Sequence, residues 1–423
     1  MKGAAALADC LRRSADAVYA VPGYPVTELA EILGAQVAVN EKVALEYALG
    51  DSIAGRRAAV IVKNAGLNVC ADPLVTATVQ GVRSGVVIAV GDDIDAVGSQ
   101  TAQDSRYYGE VACVPVLEPD GETCTQAVEA SFAASEAFSR VALLRLTPSL
   151  LEGEVAEGEC TRRNGSGRLA DRELTMRGKV AEAERLTAAM FSWSRASPLN
   201  RMRGGRVAAG AAPGRSRAVT VYPPPADPEV LEETCEYGRP FLREHRFAAP
   251  PEVRGPSERY DARGYYRTFC RECPFAGVME TLSGRGMKVI CDTGCSLFAI
   301  NPPYSVGLAG YGLGSSVAVA ATSTGVALTG DYALLHSGIN ALVDVYERRI
   351  PVLCIVLKNN RMGMTGGQPA YDVMRYLRWA DPTVCSADDA DTLDEVLVMP
   401  EAPCTVVIEG RCPEGGQHET VAC

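Results

Sequence analysis

The chain has 423 residues, a hydrophobic fraction of 47% and a formal net charge of −11. This length and apolar content predict a globular protein with two or three domains. The acidic balance argues against a nucleic-acid partner, and no apolar stretch reaches the length of a membrane helix. The N-terminal stretch Met1–Arg13 predicts an amphipathic helix and no secretory signal, so we expect a cytoplasmic protein.

Residues 1–151 alternate helical patterns with short apolar runs. The runs at 17–21, 58–62, 85–90 and 141–146 predict buried strands. Strands that alternate with helices form parallel sheets with helices on both faces. We therefore predict an α/β domain over this range.

Residues 152–260 have a different composition, rich in Arg, Gly and Pro, and offer few residues for a core. We predict a helix from Glu173 to Trp193, short strands near 206–208 and 218–221, and irregular chain elsewhere. A long linker is the alternative interpretation.

Residues 261–423 return to the α/β pattern. Apolar runs at 287–290, 326–329, 351–357 and 405–409 predict the strands of a second parallel sheet. The predicted fold is thus two α/β domains, each a parallel sheet flanked by helices, joined by a reduced middle segment.

Polar residues follow two neighbouring strands of this second sheet. Gly330 and Asp331 come after one strand, and Asn359 and Asn360 come after the next. Ligands gather at the carboxyl ends of parallel strands, and Mg²⁺ prefers oxygen ligands shared with phosphates. The spacing resembles the signature of thiamine diphosphate (ThDP) sites, although both dipeptides are also common in ordinary turns.

A ThDP site also needs a carboxylate that exchanges a proton with the aminopyrimidine ring. Glu41 is the candidate, because it lies where a short strand meets a helix in the first domain. A carboxylate in a closed pocket has a raised pKa, which suits proton transfer near neutral pH. The alternative is a glutamate that only stabilises the helix start.

Fifteen cysteines without an export signal favour reduced thiols or metal ligation over disulfides. Most are expected to fill the core. The pair Cys270 and Cys273 has the Cys-x-x-Cys spacing, which could also bind zinc or have no ligand at all.

Longer motifs extend the resemblance to one family, the indolepyruvate ferredoxin oxidoreductase α subunit of the 2-oxoacid:ferredoxin oxidoreductases. Residues 20–118 resemble its pyrimidine-binding domain, and residues 270–368 resemble its diphosphate-binding domain. The motifs that carry the resemblance are Val21–Leu29, Asn40–Lys42, Gly66–Val69, Ala71–Pro73, Asp104–Tyr108 and Leu357–Gln368. Together the two stretches cover almost half of the chain, in the family's order.

The resemblance implies a ThDP- and Mg²⁺-dependent oxidative decarboxylation of a 2-oxoacid, an arylpyruvate such as indolepyruvate above all, with electrons passing to ferredoxin. Coenzyme A serves relatives in this superfamily, and the reduced middle segment leaves its use open here. The resemblance also implies a 4Fe–4S iron–sulfur cluster held by Cys270, Cys273, Cys295 and Cys412. Cys404 or Cys385 are alternatives for the fourth ligand.

Further site residues follow from the same resemblance. The backbone carbonyl of Arg361 would be a third Mg²⁺ ligand, and His336 would contact the diphosphate or move a proton, unless it is only structural. The remaining expected cofactor contacts are Gly310, Gly312, Thr365 and Gly366, and the expected substrate contacts are Thr27, Asn64 and Arg106. A surface ion pair is the alternative for Arg106.

Two departures from the family qualify these expectations. No ferredoxin-like region with repeated Cys-x-x-Cys spacing follows the second domain, so electrons are expected to leave through another subunit. Asn64 and Gly367 stand where the family tends to carry histidines, which leaves open a substrate other than an arylpyruvate. We expect a homodimer with a γ- or β-type partner. The rival functions are a non-oxidative 2-oxoacid decarboxylase and a non-catalytic ThDP-fold subunit.

Overall fold

The computed structural model describes residues 1–93, 96–100, 103–156, 158–196, 253 and 255–423. The predicted strands at 206–208 and 218–221 lie outside these residues. Two compact units are present, the first formed by Met1–Leu169 and Val180–Pro256 and the second by Ala170–Lys179 and Ser257–Cys423.

The first unit is built on a parallel sheet. In chain order its strands are β1 (Ala17–Val21), β2 (Gln36–Val37), β3 (Ala58–Lys63), β4 (Gly81–Val82), β5 (Val86–Gly91), β6 (Val116–Leu117), β7 (Ala142–Leu146) and β8 (Arg168–Leu169). Within the described residues, the main sheet has the order β2-β1-β3-β5-β7-β6, and all its pairs are parallel. The central strands β5 and β7 are buried throughout, as expected for strands covered on both faces.

Helices cover this sheet. They are Gly3–Ser14, Thr27–Leu33, Glu41–Ile53, Asn64–Val69, Ala71–Gln80, Tyr107–Val111, Cys124–Phe138 and Pro148–Glu152. Val155 and Cys160 pack into the same core, and β8 pairs with β4 in an antiparallel ribbon. The start of the predicted middle segment is therefore part of the first unit.

The helix expected from Glu173 to Trp193 is observed at Met176–Ala196. Two contacts tie the chain before it to the second unit. Tyr260 N donates to Glu173 O at 2.8 Å, and Arg172 Nη2 donates to Gly307 O at 2.9 Å.

The second unit has its own parallel sheet. Its strands continue as β9 (Tyr265–Arg267), β10 (Ile290–Cys291), β11 (Val326–Gly330), β12 (Leu353–Lys358), β13 (Arg361–Met362), β14 (Gln368–Pro369), β15 (Thr383–Ser386), β16 (Cys404–Glu409) and β17 (Thr420–Ala422). Among the residues described, the parallel sheet has the order β10-β11-β12-β16-β15. β13 pairs with β14, and β17 pairs with β9, both antiparallel. The predicted α/β class is confirmed for both units.

Short helices flank the second sheet. They are Tyr260–Arg263, Ala276–Gly284, Ser316–Ala321, Asp331–Ala333, Ile339–Glu347, Met374–Leu377 and Ala390–Val396. In the described part of the chain, no helix is both long and apolar enough to cross a membrane.

The helix expected between β11 and β12 is interrupted. A π-helical turn, Leu334–Gly338, separates Asp331–Ala333 from Ile339–Glu347. A Cβ on Gly314 would lie 2.4 Å from Gly338 N, so only glycine lets the preceding loop pack against this turn. Such turns are frequent at functional sites.

Candidate functional site

Asp331 lies at the carboxyl end of β11, and its side chain is buried. Its Oδ2 accepts hydrogen bonds from the backbone N–H groups of Asn359 at 3.1 Å and Asn360 at 2.7 Å. Its Oδ1 accepts from Tyr332 N at 2.8 Å. The parallel pairing of β11 with β12 brings these strand ends side by side, so the two dipeptides meet in the fold.

The segment after β12 turns sharply at this point. Asn360 has a φ of 55°, a left-handed conformation that asparagine tolerates better than most residues. Asn359 Oδ1 accepts from Arg361 N at 2.9 Å, and its amide nitrogen donates to Cys412 Sγ at 3.2 Å. Asn359 therefore contacts both the Asp331 loop and one of the candidate cluster cysteines.

A cavity of about 840 Å³ opens beside Asp331 in the second unit. This volume lies in the range of pockets that take a cofactor-sized molecule. The wall residues that matter here include Gly330, Asp331, Asn359, Arg361, Thr365, Gly366, Cys270, Cys273, Cys295, Cys412 and His418. Predicted cofactor contacts and predicted cluster cysteines thus line one cavity.

These residues fit a divalent cation shared with a diphosphate. Burial raises the pKa of Asp331, against the opposing effect of its three backbone hydrogen bonds, and a nearby cation would offset that cost. Within the described residues, no three His, Cys, Asp or Glu side chains are grouped to hold one metal ion. A Mg²⁺ ion bound through one carboxylate, amide or carbonyl oxygens and phosphate oxygens does not need such a group.

Glu41 begins the helix Glu41–Ile53, whose N-cap residue Asn40 accepts from Val43 N at 2.9 Å. The glutamate side chain is half-buried and lies against Gly66. A Cβ on Gly66 would be 2.5 Å from Glu41 Oε1, so the glycine provides the space that this carboxylate occupies. The backbone carbonyl of Glu41 accepts from Cys70 Sγ at 3.2 Å.

Three of the predicted cofactor and catalytic residues, Gly310, Gly312 and His336, lie outside the wall of the cavity. Gly310 packs on β10, since a Cβ there would be 2.8 Å from Cys291 O, and Gly312 has a φ of 138°. Neither glycine, nor His336, is among the described residues that line the cavity. His336 is exposed in the π-helical turn, 3.3 Å from Ser337 Oγ, and this placement does not support a contact with the diphosphate.

The three predicted substrate contacts lie in the first unit. Thr27 is half-buried at a helix start, and the buried Asn64 side chain accepts from Ala65 N at 2.7 Å. Arg106 is neither on the surface nor free. Its guanidinium is buried and donates to both carboxylate oxygens of Asp104, so the arrangement does not support the predicted role in substrate binding.

The four predicted cluster cysteines come from separate segments. Cys270 and Cys273 lie on one turn, where Cys273 N donates to Cys270 O at 3.0 Å. Cys295 begins the turn Cys295–Ile300, and Cys412 follows β16. The alternatives for the fourth position, Cys385 and Cys404, are not among the described residues that line the cavity, whereas Cys412 is.

Burial and mutual repulsion act on these thiols. Burial raises the pKa of Cys273 to about 12, with further contributions from Cys412, Cys270 and Cys295, and burial raises the pKa of Cys295 to about 11. Nearby cations would be needed to hold Cys273 and Cys295 as thiolates near neutral pH. Each thiol of a four-iron cluster binds a different iron, so cysteines from separate segments can hold one cluster.

His418 also faces this cluster of cysteines, although no sequence signal assigned it a role. Its Nδ1 lies 3.7 Å from Cys270 Sγ, and its Nε2 lies 3.9 Å from Cys295 Sγ. Burial, aided by Arg267, lowers the pKa of His418. The pairing of β17 with β9, two strands that are far apart in the sequence, brings the His418 segment close to Cys270.

The chain is similar to several known proteins. Residues 288–390 match the thiamine pyrophosphate enzyme, C-terminal TPP binding domain. The indolepyruvate oxidoreductase subunit IorA of Methanothermobacter thermautotrophicus is 27% identical, over 82% of this chain and 72% of the relative. The protein of the same name from Pyrococcus abyssi is 37% identical, over 34% of this chain and 24% of the relative.

Solved structures show the same fold. A Mycobacterium smegmatis protein of known crystal structure superposes with a TM-score of 0.58 at 16% identity, covering 97% of this chain and 100% of the other. The thiamine diphosphate-dependent 4-hydroxybenzoylformate decarboxylase of Rhodococcus jostii RHA1 gives 0.56 at 15% identity, covering 97% and 99%.

The matched domain and the named relatives define the chain as a ThDP-dependent oxidoreductase. The chain is a homologue of the indolepyruvate oxidoreductase subunit IorA, which confirms the resemblance found in the sequence.

Proposed function

We propose that the chain carries out the ThDP- and Mg²⁺-dependent oxidative decarboxylation of a 2-oxoacid, with an arylpyruvate such as indolepyruvate as substrate and ferredoxin as electron acceptor. The observation that carries this proposal is the contact of 3.2 Å between the Asn359 amide and Cys412 Sγ. It joins the loop that contacts Asp331 to Cys412, so an electron acceptor held by the cysteines would lie next to a cofactor bound at Asp331.

The chain's own residues would hold the cofactor as follows. Asp331, the side-chain oxygen of Asn359 and the backbone carbonyl of Arg361 would bind Mg²⁺, which in turn holds the diphosphate. When bound, ThDP supplies the carbanion chemistry that releases CO₂ from a 2-oxoacid. Glu41 would hold and exchange a proton at the aminopyrimidine ring, and Gly66 keeps the space for its carboxylate.

Electron removal distinguishes this function from simple decarboxylation. Cys270, Cys273, Cys295 and Cys412 would hold a 4Fe–4S cluster, which accepts electrons one at a time. The shared cavity supports the oxidative function over a non-oxidative decarboxylase, because a decarboxylase has no need of four thiols beside its cofactor.

We also propose a homodimer in the cytoplasm with a smaller electron-transfer subunit. Two exposed aromatic residues, Tyr371 and Trp379, come soon after the cavity-lining residue Gly367 in the sequence. They are 79% and 48% exposed and offer apolar surface for such contacts. Their burial by a second chain would remove this surface from water.

Anaerobic purification followed by a substrate panel tests the proposed function. We expect brown protein that contains iron, sulfide and ThDP and that reduces a viologen dye with an arylpyruvate. Glu41→Gln should keep iron and fold but lose turnover, and Cys412→Ser should lose the cluster. Colourless protein that releases CO₂ without reducing dye would contradict the oxidative function and favour the decarboxylase. Protein indifferent to ThDP would favour a non-catalytic subunit.

A further inference from the structure

His418 is held between two of the candidate cluster cysteines. Its two ring nitrogens face different thiols, with Nδ1 at 3.7 Å from Cys270 Sγ and Nε2 at 3.9 Å from Cys295 Sγ. These cysteines lie on separate segments, before the helix Ala276–Gly284 and after β10. One imidazole therefore bridges two parts of the site.

The position of the ring is fixed by the backbone as well as by packing. β17 pairs with β9, and Thr268 N donates to Glu419 O at 2.9 Å, which aligns the His418 segment with the strand that leads to Cys270. On its other side, the ring packs on Phe298, with ring centroids 4.5 Å apart. His418 thus approaches the thiols from a held position and is half-buried.

We infer that His418 is a positioning residue for the iron–sulfur cluster, donating an N–H hydrogen bond to the thiolate of Cys270 or Cys295 and so raising the reduction potential of the cluster. The inference rests on the proposed function. An imidazole carries at least one N–H in either protonation state, so a donor is always present. Hydrogen bonds to ligating sulfurs stabilise the extra negative charge of a reduced cluster.

Redox titration of the anaerobically purified holoprotein, followed by electron paramagnetic resonance, tests this inference. His418→Leu removes the donor, and we expect unchanged iron and sulfide content with a more negative midpoint potential. His418→Asn restores an N–H close to the position of Nδ1 and should recover much of the shift. Gln417→Leu changes an exposed neighbour on the same segment and should leave the potential unchanged.

The outcomes separate the inference from the function on which it rests. Wild-type protein without iron would overturn both. A wild-type cluster whose potential is the same in His418→Leu would overturn the inference alone. Loss of iron in His418→Leu, together with a changed cluster spectrum in His418→Asn, would indicate that His418 is a ligand of the cluster iron. That result would also overturn the inference that His418 is a positioning residue.

Discussion

At the scale of single residues, the contact between Glu41 and Gly66 predicts a specific loss of activity. Gly66→Ala would place a Cβ 2.5 Å from Glu41 Oε1 and 2.8 Å from its Cγ. The glutamate side chain can swing away, so we expect a folded protein whose turnover falls by about 10²-fold or more, in line with the loss of a positioned acid–base group. Steady-state kinetics with the viologen dye measure this.

Gly284→Ala is the matched control for this substitution. Its Cβ would meet no atom within 4 Å, and we expect activity and melting temperature close to wild type. Equal activity of both variants would contradict the assigned position of Glu41.

The residue scale also shows where sequence reasoning reaches its limit. Asp331 and Asn359 could be predicted as neighbours because each follows a strand of the same parallel sheet. Arg106 could not be placed, since its partners Asp104 and Glu118 become buried only in the folded unit. His418 could not be found at all, because its distance of 148 residues from Cys270 leaves no local pattern.

At the scale of elements, long buried strands could be predicted from sequence and short edge strands could not. The strand predicted at 17–21 has the same bounds as β1, and the strand predicted at 405–409 starts one residue later than β16. β15 was missed because an edge strand with mixed exposure carries no continuous apolar signal. The helix after β11 was predicted without its π turn, which depends on packing with Gly314.

Strand β7 of the first unit carries a buried arginine that should dominate local stability. Arg145 is fully buried and pairs with Asp92 at 2.5 Å and Glu118 at 2.9 Å. Arg145→Met would leave Asp92 buried without a cation and Glu118 with Arg106 as its remaining cation, so we expect a loss of roughly 3–5 kcal/mol in unfolding free energy. Denaturant titration measures the loss.

Arg12→Met provides the comparison for this prediction. Arg12 is exposed and donates to Ile32 O at 2.9 Å, so its replacement should change stability by about 0.5 kcal/mol or less. Similar losses in both variants would show that the buried network is not a main source of stability.

The segment before β8 is tied to the start of β1 by a pH-sensitive ion pair. Hydrogen bonding from Arg162 to Asp16, at 2.6 and 2.9 Å, lowers the pKa of Asp16. The stabilisation is therefore full above the ordinary aspartate pKa of about 4 and is lost as the pH falls through the lowered value.

Asp16→Asn should accordingly cost a few tenths to about 1 kcal/mol at neutral pH, since the pair is partly exposed. The melting temperatures of the wild type and of Asp16→Asn, measured between about pH 7 and pH 3, should converge as the pH falls. A difference that grows with acidity would contradict the direction of the pKa shift.

At the scale of the whole molecule, cofactor binding should stabilise the folded protein by mass action. A ligand that binds only the folded state at about 100 times its Kd adds about 2.7 kcal/mol. We expect the melting temperature to rise with ThDP and Mg²⁺ together and to rise much less with either alone, because the ion joins the diphosphate to Asp331. Differential scanning calorimetry measures both effects.

Calorimetric titration of the anaerobic protein with ThDP tests the central claim most directly, namely that Asp331 and the Asn359 loop anchor the cofactor through a divalent ion. We predict saturable binding in Mg²⁺ that disappears in EDTA, that weakens about tenfold or more in Asp331→Asn, and that is unchanged in the exposed Asp388→Asn. Binding of equal strength with and without Mg²⁺, or in Asp331→Asn, would contradict it.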